Sequence, residues 1–116
     1  LGNCGDEINY LTNNGKNAGV CFDVNHLLIE SHKDFMKKVG PHIITTHFSD
    51  YDGLDEKHWL VGEGCINWPE LIQGLQDLGY KGRYLFELNE LCLPDLGRPL
   101  KPSELVERFM KTAQID

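Results

Sequence analysis

The chain has 116 residues, of which 41% are hydrophobic and 25% charged, values that are ordinary for a soluble globular unit or for part of a larger one. Its net charge of −7 comes without a cluster of Lys or Arg, which argues against nucleic acid because phosphate binding needs a positive surface. No stretch is apolar enough to span a bilayer, and four widely spaced cysteines favour reduced thiols in a cytoplasmic protein.

The first half of the chain alternates helical and β-like segments. A weak helix is predicted over residues 6–12, and a β-like run follows at residues 19–22. That run has apolar residues on both faces, which predicts a strand buried on both sides with its cysteine as a small core residue. Ser31 begins a capping-box pattern and predicts a helix that Gly40-Pro41 ends.

The second half continues this alternation. A second β-like run covers residues 42–47, and a long loop then leads to a helix capped by Asn67, with an apolar stripe that reaches Leu78. The third run covers residues 83–87, and the last helix starts at Pro102. Strands that alternate with helices predict an α/β fold with crossovers over a parallel sheet. Three strands are too few for a whole domain of this class, so we expect part of a barrel or wound sheet.

Each β-like run ends in, or directly before, a residue that can bind a metal. Asp23 directly follows the first run, His47 ends the second and Glu87 ends the third. The carboxyl ends of barrel strands share one face, so these side chains are expected to converge there. Two carboxylates and one imidazole suit Mn²⁺, Mg²⁺, Co²⁺ or Zn²⁺. Taken singly, Asp23 also fits a helix cap and Glu87 a salt bridge; the coincidence of three strand ends favours a site.

The loop after the second run, "HFSDYDGLDEKHWLVGEG", is rich in acidic residues and glycine. Loops on the carboxyl face of a barrel often carry binding residues. Asp50, Asp52 and Asp55 are interpreted as turn residues, because Asp is common in turns. Trp68 is interpreted as helix packing and not as a platform for substrate.

The ordered motifs resemble the xylose isomerase-like superfamily of β/α barrels. They are "GVCFDVNH", "HFSDYDG" and "EKHWLVGEGCINWPELIQGLQDLGYKGRYLFEL". These segments match D-x-x-H, H-x-x-D, H-x-x-x-G-x-G and a GY-x-G that leads into a strand ending in Glu. The resemblance covers residues 19–87 and implies a (β/α)8 TIM barrel. Residues 1–116 would supply its C-terminal part, about the last three β/α units.

The resemblance implies roles for individual side chains. The implied metal ligands are Asp23, His47 and Glu87. Glu87 would also act as the catalytic acid/base, and His26 and His58 would contact the substrate. Glu56 and His58 lie where multi-metal relatives have Asp-x-His, which makes them candidates for an extra metal. The Glu at position 56 departs from that pattern and weakens the case for a second metal.

The implied activity is that of a metal-dependent sugar phosphate isomerase or epimerase, which moves a proton next to a carbonyl in a small sugar or polyol. The alternatives are a metal-dependent hydrolase of the endonuclease IV type and a non-catalytic remnant. The family's second carboxylate has no counterpart before Asp6. We therefore expect the C-terminal part of a longer enzyme, inactive alone, that self-associates or pairs with the missing N-terminal half through its strand edges. Neither nucleic acid nor a membrane is expected as a partner.

Overall fold

A computed structural model describes residues 4–15, 17–89 and 97–116. Leu1–Asn3, which the resemblance places just past a preceding strand, lie outside these ranges, as does Cys92. The elements in chain order are α1 (Gly5–Asn14), β1 (Val20–Asp23), α2 (His32–Val39), a 3₁₀ turn (Gly40–His42), β2 (Ile43–His47), α3 (Trp68–Asp77) and α4 (Pro102–Ala113). Within the described ranges, no helix is long and apolar enough to cross a membrane.

The two strands β1 and β2 pair in parallel, with α2 in the connection between them. This is the βαβ arrangement that alternating strands and helices predict. The register sets Asp23 opposite His47, at the carboxyl ends of both strands. The pairing therefore brings the first two predicted metal ligands side by side.

The prediction of a third regular strand at residues 83–87 is wrong. Residues 83–87 pair with the segment after β2 through one parallel bridge, between Phe48 and Phe86. The N–H of Phe48 donates to the carbonyl of Leu85 (2.7 Å), and the N–H of Glu87 donates to the carbonyl of Phe48 (3.0 Å). The described residues offer this segment a backbone partner on one side, which is less than a central strand receives. Its parallel direction still brings Glu87 beside the ends of β1 and β2.

The core lies between one face of the sheet and the helices. Phe22 stacks on Phe35 of α2, and Phe48 packs edge-on against Trp68 of α3, with ring centroids 5.3 and 5.2 Å apart. On the other face, Cys21 is exposed. The expectation of strands buried on both sides, with a core cysteine, is therefore wrong for the described chain. The physical reason is that the described helices cover one face.

The helix starts follow the predicted caps. The Ser31 hydroxyl accepts the N–H of Asp34 at 3.1 Å, and the Asn67 side chain accepts the N–H of Glu70 at 3.3 Å. The weak first helix is also present and is slightly longer than predicted. The prediction that the apolar stripe of α3 reaches Leu78 is wrong, because Leu78 follows the last helical residue and its side chain is 40% exposed.

Candidate active site

Three predicted ligands from separate parts of the chain lie together. His47 Nδ1 is 3.5 Å from Asp23 Oδ2 and 3.1 Å from Glu87 Oε2. One ligand atom from each of the three residues lies within 4.8 Å of the other two. Adjacent atoms bound at about 2.1 Å to one ion are separated by about 3 to 3.5 Å, so the two distances from His47 fit a shared divalent cation. Their role as metal ligands stays a prediction.

Negative charge is concentrated at these strand ends. The Asp23 side chain is 15% exposed and that of Glu87 50%. Burial is the main cause that raises the pKa of Asp23, and the charge of Glu87 raises it further, while the Asn25 N–H and the nearby imidazoles oppose this shift. In the described part of the chain, both carboxylates have histidines as ion-pair partners. A cation at this point would offset the repulsion between the two carboxylates.

A second group of possible ligands adjoins the first. His26 Nε2 lies 3.6 Å from Asp23 Oδ2 and 3.6 Å from Glu56 Oε2. Ligand atoms of His26, Glu56 and His58 also lie within 4.8 Å of one another. His26 therefore touches both groups, although the sequence indicated it only as a substrate contact. The substrate roles of His26 and His58, and an extra metal on Glu56 and His58, stay predictions.

Asp50 does more than form a turn. Its carboxylate is fully buried and accepts four hydrogen bonds. The donors are the N–H groups of Tyr51 (3.0 Å), Gly62 (2.9 Å) and Ile66 (3.1 Å) and Nε1 of Trp68 (2.8 Å). These bonds join both ends of the loop that carries Glu56 and His58. Trp68 is buried as helix packing requires, so that interpretation is confirmed.

Two buried polar residues at the site were not singled out by the sequence. Asn25 donates from Nδ2 to the Ser49 hydroxyl at 3.0 Å, and its Oδ1 accepts the N–H of Lys57 at 3.2 Å. Asn25 is fully buried and Ser49 nearly so. The available signal was the place of Asn25 in the motif, between Asp23 and His26. Nothing comparable marked Ser49, an ordinary small residue after a strand.

Comparison with known proteins places this arrangement in a family. The family model described as xylose isomerase-like TIM barrel matches residues 2–111, and the chain belongs to that family. The predicted family and fold class are therefore confirmed. The chain is 37% identical over 71 residues to an uncharacterized protein of Methanocaldococcus jannaschii, a match that covers 58% of this chain and 24% of that protein.

Several of the similar proteins are named as sugar epimerases. A fructoselysine 3-epimerase of Escherichia coli O157:H7 is 29% identical over 75 residues, which are 65% of this chain and 26% of that protein. A solved D-tagatose 3-epimerase-like protein superposes with a TM-score of 0.72 at 25% identity, over 98% of this chain and 43% of that one. A D-psicose 3-epimerase solved with D-fructose shares the fold, with a TM-score of 0.64 at 21% identity over 97% of this chain and 40% of its own. The chain spans about a quarter of the curated relatives and two fifths of the solved ones.

Proposed function

We propose that this chain supplies part of the active site of a metal-dependent isomerase or epimerase acting on a small keto sugar or polyol. The observation that carries the proposal is the convergence of Asp23, His47 and Glu87 within 4.8 Å. It occurs in a family that includes proteins named as sugar epimerases. The activity belongs to the longer protein of which residues 1–116 would be the C-terminal part.

The donor set fits a divalent cation such as Mn²⁺, Mg²⁺, Co²⁺ or Zn²⁺. Asp23, His47 and Glu87 would hold it, since two carboxylates and one imidazole are hard or borderline ligands of the kind these ions accept. When bound, the cation supplies positive charge that polarises a substrate carbonyl. Its charge also offsets the proximity of two carboxylates that have histidine partners in the described chain.

Glu87 is the residue proposed to move the proton. Its side chain is 50% exposed, so a substrate can reach it, while Oε2 stays 3.1 Å from His47 Nδ1. A carboxylate beside the carbon next to a carbonyl takes the proton from that carbon, and the C–H electrons move toward the carbonyl. Return of the proton from the opposite face inverts the carbon. We assign that step to a second carboxylate in the preceding part of the longer enzyme.

His26 and His58 are the proposed substrate contacts. Their rings are 6.0 Å apart between centroids and stand at 74°. His26 is half exposed and offers a nitrogen near Asp23. Imidazole nitrogens can donate to or accept from substrate hydroxyls, and so orient a polyol against Glu87.

Metal binding tests the proposal directly. We expect the wild-type chain to bind one Mn²⁺ in a calorimetric titration, and Asp23→Asn or Glu87→Gln to weaken binding at least tenfold. Asp55→Asn is the matched control, because Asp55 is an exposed acid of the adjacent loop. In the full-length enzyme, Glu87→Gln should abolish exchange of substrate carbon-bound hydrogen with D₂O. Equal Mn²⁺ affinity in all variants would overturn the proposal.

The second ligand group supports one alternative, a hydrolase of the endonuclease IV type. Such an enzyme needs more than one metal, and His26, Glu56 and His58 are the residues that could hold the extra ion. The net charge of −7 disfavours a nucleic-acid substrate. Two tightly bound metals per chain, with loss of one in Glu56→Gln, would favour the hydrolase; one metal per chain would favour the epimerase.

We also propose that the open face of the sheet and its free strand edges form an association surface. Cys21 is exposed on that face, Leu85 is 47% exposed in the segment paired with Phe48, and strand edges with free backbone groups adhere to other strands. The occupant would be the remaining part of the barrel or, in its absence, a second copy of this chain. Sedimentation of the isolated chain should show dimers or larger species, and a monomer at every concentration would contradict this.

A further inference from the structure

Asn25 occupies the junction between the two ligand groups. It is fully buried, and its backbone N–H, its side-chain Nδ2 and its side-chain Oδ1 each make a hydrogen bond. Its backbone N–H donates to Asp23 Oδ1 (3.0 Å), its Nδ2 donates to Ser49 Oγ (3.0 Å), and its Oδ1 accepts the Lys57 N–H (3.2 Å). Buried polar groups that all have hydrogen-bond partners favour one local conformation, because other conformations would leave a buried donor or acceptor without a partner.

The first of these bonds occupies one carboxylate oxygen of Asp23 and leaves the other oxygen toward the site. Oδ1 is engaged by the Asn25 N–H, whereas Oδ2 is the oxygen near His47 Nδ1 and His26 Nε2. The carboxylate therefore cannot rotate freely without losing a hydrogen bond that is partly shielded from water. The main chain at position 25, and not the Asn side chain, thus orients Asp23 toward both histidines.

The other two bonds hold the segment that carries His58. Its backbone has φ +53°, which is uncommon for a residue other than glycine and persists where neighbouring groups enforce it. On one side the Lys57 N–H is bound by Asn25, and on the other the His58 carbonyl accepts the N–H of Asn89 at 3.1 Å. Asn25 is therefore one of the residues whose hydrogen bonds hold this conformation, together with Asn89 and with Asp50, which pairs with Trp59 through both backbone groups.

The resulting position of His58 determines which of its nitrogens carries the proton. His58 Nδ1 lies 3.2 Å from the carbonyl oxygen of Glu87 and 3.5 Å from Ser49 Oγ. A carbonyl oxygen only accepts, so the neutral ring is protonated at Nδ1 and keeps its lone pair on Nε2. The nitrogen available to a metal or to a substrate hydroxyl is then Nε2.

We propose that the Asn25 side chain is a positioning group that holds His58 with its proton on Nδ1 and its Nε2 toward the site. It acts through Ser49 and the Lys57 N–H and touches neither metal nor substrate. Only the use of His58 in binding rests on the proposed function. The geometry that Asn25 enforces is a property of the chain alone.

The tautomer of His58 can be read directly by long-range ¹H–¹⁵N correlation of the labelled chain at pH 8 with a chelator present. His58→Gln assigns the signals. We expect wild-type His58 to show a protonated Nδ1 and an unprotonated Nε2. Asn25→Ala should convert this to a mixture of tautomers; if it fails to fold, Asn25→Ser, which keeps a polar side chain but is too short to make the same bonds, carries the same test. Tyr51→Phe is the matched control, because it removes another buried hydrogen bond, to the Leu27 carbonyl, and should leave the tautomer unchanged.

The possible results separate this inference from the proposed function. A wild-type Nε2–H tautomer, or an Nδ1–H tautomer that survives loss of Asn25, would overturn the positioning role. A mixture of tautomers in Tyr51→Phe as well would also overturn it, since any buried loss would then suffice. Failure of the wild-type chain to bind Mn²⁺, with the tautomer fixed as expected, would count against the metal site and leave the role of Asn25 supported.

Discussion

Replacing Asp23 with Asn separates what this carboxylate costs the fold from what it contributes to a metal site. Asn has nearly the same shape and keeps an oxygen that can accept the Asn25 N–H. The substitution removes a negative charge next to the carboxylate of Glu87, from a side chain that is 15% exposed. We therefore expect opposite effects on stability in the absence and in the presence of a divalent cation.

The magnitude without metal follows from the charge separation. The ligand oxygens of Asp23 and Glu87 lie within 4.8 Å, where two unit charges repel by about 1 kcal/mol in water and by about 3 kcal/mol at a dielectric constant of 20. The lower figure applies because Glu87 is half exposed and screened by solvent. With a chelator at pH 8, where free imidazole is uncharged, Asp23→Asn should be as stable as the wild type or up to about 1 kcal/mol more stable.

The magnitude with metal follows from mass action. At a Mn²⁺ concentration one hundred times the dissociation constant, binding to the folded state alone adds about 2.7 kcal/mol to the free energy of unfolding. The wild type should gain this stabilisation, and Asp23→Asn should lose most of it. In a chain of this size, that gain corresponds to a rise in melting temperature of roughly 10 °C.

Urea unfolding followed by circular dichroism, with Mn²⁺ or with a chelator, measures both effects. Asp55→Asn is the control, since its side chain is 76% exposed and the ion-pair contact it makes with Lys57 is 3.9 Å long. Destabilisation of Asp23→Asn by more than about 1 kcal/mol under chelator would show that the carboxylate is structural, as the helix-cap reading of the sequence has it. Equal stabilisation by Mn²⁺ in the variant and the wild type would refute the metal role.

Three further predictions concern groups away from the proposed metal. Asp50→Asn replaces one carboxylate oxygen, which accepts two N–H groups, with an NH₂ group that cannot accept them. Loss of these two charge-assisted bonds should lower the free energy of unfolding, measured with urea, by about 3 to 6 kcal/mol. A decrease of less than about 1 kcal/mol would contradict this. Hydrogen bonding to Arg98 lowers the pKa of Glu104 from 4.5 to about 2, so its contribution is present above pH 4.5 and is lost as the pH falls toward 2. Urea midpoints of Glu104→Gln should therefore vary less than those of the wild type across that window. Burial lowers the pKa of His32 below 6.5, so the fold favours the neutral imidazole and stability should fall as the pH drops below 6.5. In urea unfolding between pH 5 and 7, the stability of His32→Gln should depend less on pH than that of the wild type. An equal dependence on pH would contradict this prediction.

The features that the sequence predicted correctly are those that depend on residues close together in the chain. Asp23, His47 and Glu87 each follow an apolar run, and the carboxyl ends of parallel segments meet whatever the details of packing. Ser31 and Asn67 act within three residues of themselves, so their caps are also local. Such signals survive without knowledge of the tertiary structure.

The parts that the sequence did not predict depend on contacts between distant segments. Asn25 reaches Ser49 and Lys57, which are 24 and 32 positions away. Asp50 looks like a turn residue until Gly62, 12 positions on, and Trp68, 18 positions on, bring their N–H groups to it. Composition cannot tell a buried acceptor from a solvated one, because the difference lies in which donors the folded chain delivers.

Glu87 shows how a site can tolerate an incorrect strand prediction. Residues 83–87 have the composition of a strand, but regular strand geometry also requires neighbours, and the described chain provides one bridge. That bridge suffices to fix Glu87, because its N–H is held by Phe48, the residue directly after His47. The carbonyl of Glu87 in turn receives the Nδ1 contact of His58. A shift of this segment would therefore move the proposed base and release the proposed tautomer of His58 together, so the short bridge at Phe48 is a further structural connection between the two ligand groups, beside His26 and Asn25.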